Sequence, residues 1–134
     1  YGVNTSRINV NNKSKIILGV KMSDSNEKIT NLIEKDNVVL FMKGTPDFPQ
    51  CGFSANVVGI LKYFGVKFLS INVLDDNEIR EGIKEYSDWP TIPQIYINKE
   101  FIGGCDILRE MAENGEIIDL LKKNKISFEI SKDE

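Results

Sequence analysis

At 134 residues and 15.2 kDa the chain is close to the commonest size for one domain, and its 41% hydrophobic and 28% charged residues suffice for a single buried core. A net charge of −3 and a pI near 5.1 argue against a general nucleic-acid binder, and no apolar run approaches the roughly 20 residues that a membrane helix needs. The absence of histidine removes His-based triads, imidazole zinc and copper sites, Rieske centres and haem ligation by histidine, while Cys51 and Cys105 alone cannot supply four thiolates to a zinc or iron–sulfur centre.

Charge is unevenly placed along the chain. Residues 1–22 carry Arg7, Lys13, Lys15 and Lys21 without an acid, so the remainder holds −7. Residues 1–23 are therefore expected to form a disordered basic N-terminal extension. Their composition is that of an organelle-targeting segment, and equally that of a tail or an expression remnant. Ile29, Leu32 and Ile33 at helical spacing predict a helix over about 24–36. Val38–Met42, a continuous apolar run bounded by Asn37 and Gly44, predicts a central strand buried on both faces. Gly44, Pro46 and Pro49 break regular structure, after which Phe53, Val57, Ile60, Leu61 and Phe64 form a helical stripe. Cys51 thus falls where a loop becomes a helix.

A second strand is expected over 67–73 and a capped helix over about 76–86. Two short strands, QIYI and EFI, flank Asn98-Lys99 with the spacing of a two-residue hairpin. Gly103-Gly104-Cys105-Asp106 opens a last helical region to about 124, interrupted at Asn114-Gly115, and residues 125–134 read as a frayed polar tail. One domain over 24–124 is expected. Its order of elements is that of an α/β thioredoxin-like fold, a four-stranded mixed sheet flanked by helices, with an unrelated α/β sandwich as the alternative on pattern alone.

Several residues invite chemistry. A helix start leaves N–H groups unpaired and adds positive potential, which favours a thiolate at Cys51; Lys43, eight residues earlier, adds a cation. Ser54 occupies the place where a dithiol reductase carries its second cysteine, so an external thiol must resolve any mixed disulfide on Cys51. Cys105 lies 54 positions away, and its ordinary reading is a small core residue. Lys43 and Arg80 taken singly read as solvated surface cations. Pro93 stands at a helix-to-strand junction where a cis peptide would expose the backbone of Ile92, and the Gly103–Asp106 turn is a helix start open to an anion.

Taken together, the segment Lys43-Gly-Thr-Pro-Asp-Phe-Pro-Gln-Cys-Gly-Phe-Ser54 resembles the signature of monothiol, CGFS-type glutaredoxins. Trp89-Pro-Thr-Ile-Pro-Gln-Ile-Tyr-Ile-Asn and Glu100-Phe-Ile-Gly-Gly-Cys-Asp106 are similar to that family's other ligand-binding segments, in the same order. The resemblance covers about residues 25–124. It implies a protein that binds glutathione and a [2Fe–2S] cluster bridging a homodimer, and that passes the cluster to iron–sulfur acceptor proteins, without a nucleic-acid or membrane partner. Position by position, it implies Cys51 as redox thiol and cluster ligand, and Lys43 and Arg80 as holders of the glycine carboxylate of glutathione. Ile92, before Pro93, corresponds to the residue whose backbone pairs with the cysteine of glutathione. Cys105 through its backbone and Asp106 through its carboxylate match the helix start that takes the γ-glutamyl end, with Gly52, Phe53 and Trp89 lining the site. Two chains each giving Cys51 leave two cluster positions for glutathione thiolates. The enzymatic alternative is a weak glutathione-dependent oxidoreductase that resolves protein–glutathione mixed disulfides through Cys51. A thiol-inert interaction module would instead require Cys51 to be buried. The basic extension resembles those of mitochondrial members, with cytoplasm and plastid as the other compartments. Lys99 in the hairpin and Gly59 within a helix depart from the ideal pattern and carry a local stability cost.

Overall fold

The computed structural model describes residues 24–130, so the expected basic extension over 1–23 lies outside the described residues. Helix α1 (Asp24–Ile33) leads to strand β1 (Val38–Met42), helix α2 (Gly52–Tyr63), strand β2 (Leu69–Asn72) and a single 3-10 turn at Val73–Asp75. Helix α3 (Asn77–Ser87), strands β3 (Gln94–Ile97) and β4 (Glu100–Gly103), and helices α4 (Cys105–Asn114) and α5 (Glu116–Lys123) complete the chain. The strands form one mixed sheet in the order β2-β1-β3-β4. β1 runs parallel to β2, with Val39 opposite Leu69, and antiparallel to β3, with Val39 opposite Tyr96. β3 and β4 form the expected hairpin, Ile97 facing Glu100. This is the thioredoxin-like arrangement.

Alternation along β1 sends its side chains into two cores, which is why the strand reads as unbroken hydrophobic sequence. Val38, Leu40 and Met42 pack with Val57, Leu61, Leu108 and Leu121 under α2, α4 and α5. Val39 and Phe41 face Ile29, Ile33, Ile79 and Ile83 under α1 and α3. Helix α3 starts at an Asp76 cap whose carboxylate accepts the N–H groups of Glu78 at 3.0 Å and Ile79 at 3.3 Å, as its sequence predicts.

Three expectations change. Phe53 is not part of the α2 core stripe: at 59% exposure it stands on the first turn of the helix, and Val58 takes the buried position instead. Helix α1 ends at Ile33, because Glu34–Asn37 turn into β1 with Lys35 N–H bonded to the Leu32 carbonyl. The segment after α5 is not frayed over 125–130. Ile126 is 9% exposed in the α2/α4/α5 core, Phe128 packs on it, and Glu129 N–H donates to the Phe64 carbonyl at 2.8 Å. Two apolar side chains among polar neighbours are enough to dock it.

Candidate functional site

The site lies at the end of β1 where the chain leaves the sheet. Gly44 turns the loop at φ +93°, and its N–H donates to Asn72 Oδ1 at 2.9 Å on the neighbouring strand. Gln50 N–H returns to the Lys43 carbonyl at 2.9 Å, and Thr45 and Phe48 bond to each other through their backbones. The Pro-containing segment is thereby an ordered clasp that hands the chain to α2 with Cys51 as its cap, in extended conformation. Phe48, 74% exposed, and Phe53 present apolar rings beside that cap.

Ser54 has no exposed surface, and its Oγ accepts the Lys43 N–H at 3.1 Å, joining the end of β1 to the first turn of α2. Partial burial of Cys51 pushes its thiol up, but the N–H groups of Ser54 and Phe53, the Ser54 hydroxyl and the charge of Lys43 outweigh it and hold the thiol below its ordinary value. Cys51 is accessible and free; Cys105, also free, is buried. A thiol-inert module with a buried Cys51 is therefore excluded by the fold.

Beside the cap lies a cleft of about 170 Å³ lined by Phe53, Trp89, Thr91, Ile92, Pro93, Gly104, Cys105 and Asp106. Six of the ten residues singled out in the sequence meet in it, and the Ile92–Pro93 peptide is cis. Trp89 is held by Phe101, ring centroids 5.5 Å apart, which in turn packs on Tyr96 at 5.5 Å. Gly104 is a close-approach position: a Cβ there would stand 3.0 Å from the Pro93 carbonyl and 3.4 Å from the Trp89 indole nitrogen. Asp106 forms a 2.8 Å ion pair with Arg109 one turn on. Cys51 and Gly52, at the start of α2, and Lys43, just after β1, lie outside this cleft's lining. Arg80 sits on α3, where its Nε is buried without a hydrogen-bond partner among the described residues.

Sequence reasoning marked Gly104 within a turn of close backbone approach, but it missed Thr91 as a wall, the second role of Ser54 and the part played by Asn72. Their signal is weak because each acts by filling or bracing space. Among the described residues no group of three or more His, Cys, Asp or Glu side chains could hold a metal ion, so one chain offers one accessible thiolate at the cap. That donor set suits a cluster shared with outside ligands and does not suit one enclosed by a single chain. No described helix is long and apolar enough to cross a membrane.

A sequence profile of the family described as Glutaredoxin matches residues 38–102. "Monothiol glutaredoxin-5, mitochondrial" of Saccharomyces cerevisiae is 60% identical over 98 residues, covering 71% of this chain and 65% of the yeast protein, so the chain spans just under two thirds of that relative's length. "Probable monothiol glutaredoxin 2" of Rickettsia typhi is 56% identical over 102 residues, 75% of this chain and 92% of the relative. The solution structure of reduced poplar apo GrxS14 superposes with a TM-score of 0.66 at 49% identity, covering 75% of this chain and 92% of that one.

Proposed function

Because the chain belongs to the monothiol glutaredoxin family, we propose that it binds glutathione in the cleft beside Cys51 and carries a [2Fe–2S] cluster between two copies for delivery to acceptor proteins. The observation that carries this reading is one accessible, acidified thiol per chain next to a ready-made cleft, with Ser54 where a second thiol would stand. The cluster is cargo. Two Cys51 thiolates and two glutathione thiolates complete its four ligands, which ties loading to dimerisation.

In this reading the ligand lies along the cleft in a fixed direction. Lys43 and Arg80 take its glycine carboxylate, and the unpartnered Arg80 Nε is a donor suited to that role. Ile92 offers backbone N–H and C=O to the cysteine of glutathione from the residue before cis-Pro93. The start of α4 receives the γ-glutamyl end through the Cys105 N–H and the Asp106 carboxylate, which the ammonium shares with Arg109. Gly52, Phe53 and Trp89 complete the walls. We place the protein in mitochondria, as the name of the yeast relative places that protein.

The depressed thiol favours a second activity. Cys51 thiolate attacks the glutathione sulfur of a protein–glutathione mixed disulfide, releasing the protein thiolate; a second glutathione thiolate then regenerates Cys51 and leaves as glutathione disulfide. Ser54 cannot perform that second step.

Anaerobic reconstitution with iron, sulfide and glutathione tests the main reading. The wild type is expected to become coloured and dimeric by sedimentation, Cys51→Ser to stay colourless with its fold intact, and Cys105→Ser to remain coloured and dimeric. A loaded monomer, or a coloured Cys51→Ser protein, defeats it. Mixed-disulfide reduction by a protein that never takes up cluster would establish the second activity instead.

A further inference from the structure

Gln94, the first residue of β3, carries a fully buried side chain that none of the roles above uses. Its Nε2 donates to two carbonyls at once, Trp89 O at 3.1 Å and Thr91 O at 3.0 Å. Both belong to the stretch Trp89–Pro93, which has no regular secondary structure and forms one wall of the cleft. The same amide's Oε1 is buried with no partner among the described residues. An apolar side chain of similar size would leave no orphaned oxygen, but it would strip the Trp89 and Thr91 carbonyls of their donors. What this side chain supplies to the cleft is therefore its two N–H donors. The wall they brace runs close to Gly104 on the opposite side, where an added Cβ would stand 3.0 Å from the Pro93 carbonyl.

We infer that Gln94 is a positioning residue that holds the Trp89–Pro93 wall through the Trp89 and Thr91 carbonyls, and so sets the backbone of Ile92 for its ligand. This rests on the reading of the cleft as a glutathione site. Gln94 touches no ligand itself; it acts by denying the wall a second position. Isotropic loosening of the domain would weaken every function together, whereas loss of this brace affects the cleft and spares the thiol on the neighbouring cap.

The experiment compares wild type with Gln94→Met, which keeps length and removes both donors. Glutathione affinity is measured by calorimetry, the ionisation of Cys51 by iodoacetamide alkylation against pH, and the backbone amide resonances by nuclear magnetic resonance. Gln94→Met is expected to bind glutathione about tenfold more weakly, to alkylate with the wild-type pH midpoint, and to show its largest shifts at Thr91 and Ile92. Wild-type affinity in the variant, or equal loss in affinity and in thiol ionisation, overturns the assignment. Should the variant not fold, the wild type still decides: both Gln94 side-chain amide protons must exchange slowly with solvent, free and bound, and rapid exchange overturns the brace. If the wild type itself fails to bind glutathione, the cleft reading falls and the inference with it; if the wild type binds and Gln94→Met binds equally, only the inference falls.

Discussion

At the scale of single residues, the chemistry of Cys51 is set by neighbours that carry no charge as much as by Lys43. Two backbone N–H groups and one hydroxyl face the sulfur, and burial opposes them. Ser54 therefore does two things: its oxygen accepts from Lys43 N–H, and its hydroxyl favours the Cys51 thiolate. Because the folded-state pKa lies below that of an ordinary cysteine thiol, the thiolate fraction rises with pH through a lowered midpoint. Iodoacetamide alkylation of Cys51 should follow that profile, and Ser54→Ala should move the midpoint upward while costing about 1–3 kcal/mol of stability for the orphaned Lys43 N–H. An unchanged midpoint in the variant would assign the depression to the helix start and Lys43 alone. The sequence shows Ser54 as the absence of a thiol; its positive role needed the fold.

At the scale of elements, the clasp between β1 and α2 depends on Gly44. Its φ of +93° lies in the region that favours glycine, and a Cβ would fall 2.5 Å from the Phe48 carbonyl and 2.6 Å from the Gln50 nitrogen. Both obstacles are backbone, so neither can swing away. Gly44→Ala should lower stability by about 2 kcal/mol or more, read as a lower urea midpoint at unchanged slope, and should raise the Cys51 midpoint because Lys43 and Ser54 lose their register. A variant as stable as wild type would show that the loop has another conformation of equal energy. By contrast, the β3–β4 turn tolerates poor chemistry: Asn98 and Lys99 sit at φ +49° and +74°, and only the first is a residue that accepts this region readily. Asn98 Nδ2 repairs part of the cost by donating to the Asn124 carbonyl at 3.1 Å.

At the scale of the molecule, the two faces of β1 divide the labour. One core carries α2 and α4, whose starts bear Cys51 and Cys105–Asp106; the other carries α3, which bears Arg80. The C-terminal segment belongs to the first core but meets the sheet at its far end, since Ile126, Phe128 and Glu129 share a cavity with Asn37 and Val38 at the start of β1 and with Gly65 after α2, while the site follows the end of β1. Ile126→Ala should therefore cost about 2–3 kcal/mol, seen as a lower melting temperature, and leave the pH midpoint of Cys51 alkylation in place. A shift of that midpoint would show that the two ends of the sheet are coupled.

The sequence by itself determined the order of the five helices and four strands among the described residues, because periodicity, proline and glycine act locally, while the 3-10 turn at Val73–Asp75 had no such signal. It also pointed to the family, since the segments around Lys43, Cys51, Pro93 and Asp106 follow one another in the order of the monothiol glutaredoxins. Only the tertiary structure decided that Phe53 turns outward, that residues 125–130 dock on the core, and that Thr91 joins Trp89, Ile92 and Cys105 in lining the cleft. It alone showed the hydrogen bonds made by Ser54, Asn72 and Gln94. The physical reason is common to all of these: they act through particular partners that no periodicity marks, whether three positions away, as Thr91 is from Gln94, or 28, as Gly44 is from Asn72, and the worth of a hydroxyl or an amide exists only once that partner has been brought within three ångströms or so of it.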